Sequence, residues 1–265
     1  MIGRARFAFG VLAFGYAFLY LPILLVIAYS FNDSRLVTVW AGFSFKWWHA
    51  LFHNEDMLSA AWLSLRIGLA SATLSTILGL AAGYVLARVP SFVGRTLFGS
   101  LVMAPMVMPE VVMGISLLLL FVGGEQFLGG PDRGFVSIVI AHTTFSLAFV
   151  AIVVQARLAD FDRSLEEAAM DLGATPWVTF RTVTLPMLMP ALVSGWLLAF
   201  TLSLDDLIMT QFVSGAQSQT LPMLVYSSVR LGVDPQINVL ATIVVCIAAV
   251  ALIISGRLAR ARPAR

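Results

Sequence analysis

Charge is what this sequence has least of. Acidic and basic side chains make up 11% of its 265 residues, where a soluble domain of this length carries about 25%. That shortage argues against a water-exposed globular domain and implies a membrane protein. Lysine is almost missing: Lys46 is the only one among 16 basic residues. No GxxxxGK[ST] phosphate loop exists, so the chain lacks an energy-converting site of its own. The single cysteine, Cys246, excludes an internal disulfide and reads as a small apolar residue. There are three histidines, but no HExxH and no GxSxG, so neither a catalytic set nor a metal set is expected. His49 and His53 stand four apart without a third ligand. The formal charge of +2 gives no reason to expect nucleic acid as a partner.

What is present is apolar: 60% of the residues are hydrophobic. A spanning helix needs roughly 20 mostly apolar residues. Six stretches qualify, near Phe7–Phe31, Ala61–Ala87, Leu97–Gly123, Phe135–Ala156, Leu185–Gln211 and Ile237–Gly256. The first is longer than a signal-peptide core and is read as a retained helix. Arginine placement sets the orientation, because basic residues accumulate on the cytoplasmic side. With the N-terminus inside, Arg4, Arg6, Arg88, Arg95, Arg157, Arg163, Arg181, Arg257, Arg260, Arg262 and Arg265 lie inside. Arg35, Lys46, Arg66, Arg133 and Arg230 lie outside. That is 11 against 5 of the 16 basic residues. Both termini are therefore expected in the cytoplasm, with membrane lipid as an obligatory partner. The chain is expected to be an all-α membrane protein with one transmembrane domain, 1–265.

Within the spans, small residues recur at Ser71, Ser75, Gly79 and Gly83. This spacing stacks them on one helix face, where they allow another helix to approach, within the chain or from a second one. Pro105 and Pro109 each remove a backbone donor and favour a kink just before Glu110. His142, Thr143, Thr144 and Ser146 are read as helix-packing groups. The loop after the first span, with Trp40, Trp47 and Trp48, suits the membrane interface. Three acids fall inside spans: Glu110, Asp205 and Asp206. An acid at a helix centre costs roughly 2.5–3.5 kcal/mol on insertion scales, so each needs a partner or a function. A cation crossing the membrane needs such compensating charge. Trp196 and Phe200 can add cation–π attraction, although packing is the favoured reading for both. The structural alternative pairs an acid with Arg66 or Arg230, or makes it a helix cap. Asp205 and Asp206 point about 100° apart on an unbroken helix, so both face one path only if the helix breaks.

Residues 157–184 are too polar to span and form a cytoplasmic loop between the fourth and fifth helices. Ser164-Leu-Glu-Glu167 has the form of a capping box. Gly173 is placed to end the short helix that follows. Thr175-Pro176 starts a second one. Glu167-Ala168-Ala169, then Gly173, then Val183-Thr184-Leu185-Pro186 resembles the EAA loop of type I ATP-binding-cassette importer permeases, with valine where that family has isoleucine. Ser30-Phe-Asn-Asp33, Ala104 to Glu110, Ser203-Leu-Asp-Asp206, Phe212-Val-Ser-Gly215 and Thr220-Leu-Pro222 resemble its polyamine branch. The resemblance implies a MetI-like fold with a coupling-helix loop, in a bacterial inner membrane. It implies a second permease subunit in a heterodimer, a cytoplasmic ATPase dimer using ATP and Mg, and a periplasmic polyamine-binding protein. It assigns ATPase coupling to Glu167, Ala168, Ala169, Gly173, Leu185 and Pro186. Glu110, Asp205, Asp206, Trp196 and Phe200 are the candidates along the substrate path. No cofactor is expected on this chain itself. Two other functions compete. An ion-gradient-driven transporter of small cations fits the intramembrane acids but has no need of the bracket. An intramembrane enzyme lacks a placed base, nucleophile and oxyanion donor.

Overall fold

The computed structural model describes residues 2–129, 132–232 and 234–260, with side chains described over 7–127, 129, 132–230, 232, 234–247 and 249–250. Of the orientation-setting arginines, Arg262 and Arg265 and the side chains of Arg4, Arg6, Arg257 and Arg260 lie outside these. The described residues are helical, with one isolated antiparallel bridge between Asn32 and Phe43. In chain order the elements begin with α1 (Ile2–Tyr29), α2 (Lys46–Phe52) and α3 (Glu55–Arg88). Next come α4 (Arg95–Val107), α5 (Glu110–Leu128) and α6 (Phe135–Ala159). The bracket is α7 (Ser164–Asp171), α8 (Pro176–Thr179) and a π-helical turn at Phe180–Thr184. The chain then runs through α9 (Leu185–Asp205), α10 (Ile208–Val213), α11 (Leu221–Leu231) and α12 (Gln236–Arg260).

Two of the six expected spans are broken. Leu97–Gly123 is α4 and α5, separated at Met108-Pro109, where Met108 is extended (ψ 135°). Pro109 has no N–H to donate and its ring disfavours a helical residue before it, so the helix ends and restarts. Leu185–Gln211 is α9 and α10, separated at Asp206 (ψ 122°) and Leu207. Among the described residues five helices are long and apolar enough to cross a membrane: Phe7–Tyr29, Glu55–Arg88, Glu110–Phe127, Phe135–Ala159 and Pro176–Asp205. Arg95–Val107 and the segment Gln236–Ile247 are shorter apolar pieces.

The chain divides into two compact units, Met1–Ser59 with Val225–Arg265, and Ala60–Leu224. In the first, α12 packs on both α1 and α2. The loop after α1 folds around the buried Asn32. Its amide nitrogen donates to Val39 O (2.7 Å), and its carbonyl accepts from the amides of Ala41 (2.9 Å) and Ser34 (3.3 Å). Phe31 stacks between Phe43 and Trp48, and Phe45 meets it edge-on. Asn54 donates to Gln236 at 3.1 Å. His49 and His53 stack at 4.3 Å, and no group of three metal-binding side chains exists among the described residues.

In the second unit α6 is the axis. Ala141, Ala148, Val150, Ala151 and Val154 have no exposure, and the small-residue stripe of α3 lies along it. A Cβ on Gly79 would stand 2.6 Å from Val150 Cβ, and one on Gly83 2.7 Å from the Ala151 carbonyl. Ser75 donates to the carbonyl of Thr143 (3.3 Å). The stripe is thus a packing face within the chain. On another side α9 packs on α6, with Gly195 facing Val150. The opposite end of the core holds Ile67, Met113, Leu117, Ile138, Met209 and Val213, joining α3, α5, α6 and α10.

Candidate functional site

Two places in the second unit carry the candidate residues: the bracket and the break before α10. At the bracket the local start differs from the expected capping box. Ser164 is the first helical residue, and neither it nor Glu167 makes a cap bond. Instead Asp162 accepts from the Ser164 amide at 3.0 Å. A carboxylate two residues earlier reaches that orphan donor with less bending of the chain. The backbone N–H of Ser164, and then its hydroxyl, hold the Asp162 carboxyl below the usual carboxylate range.

The remaining punctuation follows the sequence. Gly173 has φ +91°, a conformation that glycine adopts without Cβ strain. The Ala174 amide closes back on Ala169 O (3.1 Å). Thr175 Oγ1 accepts from Val178 N (3.4 Å), with Pro176 in the first helical position. Pro186 and Pro190 cannot donate to Thr182 and Pro186. The turn before them widens to a π form in which Leu185 N bonds Phe180 O, so α8 runs almost directly into α9.

Glu167, Ala168 and Gly173 are exposed and Ala169 is half-buried. Leu172 (90% exposed) and Trp177 (69%) put apolar surface beside them. Pro186 is exposed, while Leu185 packs inward on the cluster of Val150, Leu188 and Leu192. Glu166, which the motif does not include, is the anchored acid. Its Oε2 lies 3.2 Å from Arg88 Nε at the end of α3, and its Oε1 accepts from Thr184 Oγ1 at 2.6 Å.

The break at Asp206 separates the two adjacent acids. Asp206 turns inward and caps α10, accepting from the amides of Thr210 (2.8 Å) and Met209 (3.4 Å) and from the Thr210 hydroxyl. His142 Nε2 lies 3.2 Å from the same carboxylate and 2.9 Å from Thr210 Oγ1. Its Nδ1 is 2.6 Å from Ser203 Oγ, which in turn receives Ser71 (3.1 Å). Asp205 remains exposed. The partner of Asp206 is therefore His142, and among the described residues neither Arg66 nor Arg230 pairs with an acid. Arg66 lies over Phe135 (5.1 Å) and Arg230 over Tyr226 (5.3 Å).

Glu110 is the exposed first residue of α5. It shares a helix face with Met113 and Gly114, one turn along, and Gly114 abuts Phe212 of α10. Glu110 starts α5 and Asp206 lies just before α10, two elements that pack on each other, while Asp205 is the last residue of α9. Trp196 and Phe200 stack at 5.2 Å and lie against α3. The indole donates to Thr73 Oγ1 (3.1 Å), and Phe200 covers Gly68. Both occupy packing positions.

The His142 network was not legible from the sequence. Ser203 and Thr210 flank Asp206 at helical spacing, but the break that turns them onto His142 depends on α6.

Comparison with known proteins places this geometry among relatives. A family model described as "Binding-protein-dependent transport system inner membrane component" matches residues 75–262. The chain is 54% identical to the putrescine transport system permease protein PotI of Escherichia coli (strain K12), over 91% of this chain and 86% of that one. It is 41% identical to the spermidine/putrescine transport system permease protein PotC of the same strain, over 98% and 96%. Its fold is similar to a chain from a bacterial ABC transporter that imports the acidic polysaccharide alginate. There the TM-score is 0.70 and the identity 17%, over 98% of each chain.

Proposed function

We propose, from the premise that this chain belongs to the family of binding-protein-dependent transport system inner membrane components, that it is one permease half of an ATP-driven polyamine importer. Its substrate class is that of its relatives, putrescine and spermidine. The observation that carries the reading is the pair of relatives named for polyamine transport, one of them 54% identical over 91% of the chain. Geometry supports it. An exposed bracket, turned at Gly173 and capped at Thr175, runs into α9 through a π turn, and the far end of α9 presents an exposed carboxylate at Asp205.

In this reading residues 157–184 lie in the cytoplasm. Glu167, Ala168, Ala169 and Gly173 dock a partner ATPase, which holds ATP and Mg. Both termini are cytoplasmic, a second permease subunit completes the path as a heterodimer, and a periplasmic binding protein delivers the substrate to the inner membrane. Cations moving between the halves meet Glu110 and Asp205. Carboxylates replace part of the hydration that a dication gives up in the membrane.

The deciding experiment is a mild-detergent pull-down of this chain from its native membranes, followed by putrescine uptake in proteoliposomes of the recovered complex. Co-purification of an ATPase and a different permease chain, with uptake that requires ATP, is the expected result. Uptake by the chain alone, driven by an ion gradient, would replace this reading with a secondary transporter.

A further inference from the structure

The acid that ties the bracket to the membrane helices stands one residue before the EAA motif. Glu166 and Arg88 are nearly buried, with side chains 13% and 10% exposed. Between them they touch four elements. Arg88 ends α3, and its Nη1 donates to Leu158 O near the end of α6 at 3.4 Å. Its guanidinium lies 5.4 Å from the centre of the Phe161 ring. Glu166 belongs to α7 and accepts from Thr184, immediately before α9.

Arg88 is also under-bonded. Its Nε sits within ion-pair distance of Glu166, yet neither Nε nor Nη2 has an acceptor in hydrogen-bonding geometry, and both are buried. Buried donors without partners are rare, and each calls for an explanation. Arginine and carboxylate favour a two-pronged pair through two parallel N–H bonds. A small rotation or shift of α7 would bring the Glu166 carboxylate onto the Nε–Nη2 edge. On the Arg88 side a cavity of about 510 Å3, lined by Ala87, Arg88, Gln155, Leu158, Phe161 and Arg163, leaves the guanidinium room to turn its edge toward the carboxylate.

We infer that Glu166 and Arg88 form a two-position strut, seen here in its looser arrangement. It closes into a two-pronged pair when the bracket is displaced, and so delivers that displacement to α3 and α9 together. Glu166 and Arg88 are positioning residues: they touch neither substrate nor ATP. The strut rests on the functional reading above, since it needs a docked ATPase to move the bracket.

The test uses the whole complex in proteoliposomes, with putrescine moved per ATP hydrolysed as the readout. Arg88→Lys keeps the charge but loses the fork. Glu166→Gln keeps an acceptor for Thr184 but loses the ion pair. Both variants are expected to assemble and to hydrolyse ATP while moving about fivefold less putrescine per ATP. A role limited to holding the loop in place would leave Arg88→Lys with the wild-type ratio, and that result overturns the strut. If either variant fails to assemble, Thr184→Val cuts only the link to α9, and an unchanged ratio there overturns it equally. ATP-independent uptake by the wild type would instead overturn the importer reading.

Discussion

At the residue scale the two adjacent aspartates part company. Asp206 is committed to two amides, a hydroxyl and His142, whereas Asp205 is exposed. Asp206→Ala removes the cap of α10, a change that costs about 1 kcal/mol at other helix starts. It also leaves His142 Nε2 with Thr210 as its remaining neighbour. The expected outcome is a lower melting temperature in detergent. Asp205→Asn is expected to weaken putrescine uptake while the melting temperature and subunit assembly stay at wild-type levels. Both are read from uptake kinetics beside thermal unfolding. Lost uptake at unchanged stability for Asp206→Ala would return that residue to the substrate path. The sequence marked both acids as costly to bury, which is a matter of residue type and depth. It did not separate them, because the distinction depends on a histidine 64 residues away in the chain.

At the element scale, close approach and turn geometry decide what each helix tolerates. A methyl group on Gly79 has nowhere to go but into Val150. Overpacking of this kind costs roughly 1–3 kcal/mol. Gly79→Ala is expected to lower the melting temperature, and Val150→Gly, which removes the Cβ that the new methyl meets at 2.6 Å, to cost less in the Gly79→Ala background than it does alone. Two additive losses would mean that these side chains do not meet. Gly173 faces open space, so its constraint is the backbone alone. Gly173→Val strains the turn between α7 and α8, whereas asparagine tolerates positive φ better. Valine is expected to separate ATP turnover from uptake, and asparagine to preserve more of the coupling. Normal uptake in the valine variant would sink the coupling role. Most elements were legible in the apolar runs and in the Gly173 and Thr175-Pro176 punctuation. The break at Pro109 was half legible, since two prolines announce a kink but not a restart. The break at Asp206 was not, because neither proline nor glycine marks it and nothing local tells a capping carboxylate from one inside a helix. Ser164 is not the cap because the helix starts one residue earlier: the Glu166 and Glu167 amides bond Arg163 O, and the Ser164 amide that the Glu167 side chain would have reached is taken by Asp162.

At the scale of the whole molecule, the arginine bias predicts one orientation. Reporters fused at residue 170 and at the C-terminus should report the cytoplasm, and one fused near residue 40 the outside. A bracket reporter on the outside would contradict the docking role given to Glu167 and its neighbours. The energy source separates the remaining alternatives. With the membrane potential held fixed, depletion of ATP is expected to abolish uptake, and dissipation of ion gradients at constant ATP to leave it in place. The membrane character was plain from scarce charge and long apolar runs. Partners are not encoded in such patterns, because a stripe of small residues marks close helix packing without saying whether the neighbouring helix belongs to the same chain or to another.

The interruption at Asp206 has a mechanical consequence. α9 is 21 residues long, a rod of roughly 30 Å rooted in the bracket at one end and stopped at Asp206 at the other. Close approach of α3 to α6 fixes the middle of this unit, while the chain changes direction at two joints, Met108-Pro109 and Asp206-Leu207. A load applied at the bracket is therefore carried along α9, past the missing donor of Pro190, to its far joint. The six residues of α10 are seated in the core through Met209 and Val213 and held to His142 through Asp206 and Thr210, so displacement arriving there is handed on to α5 and α6 rather than lost in a loose end.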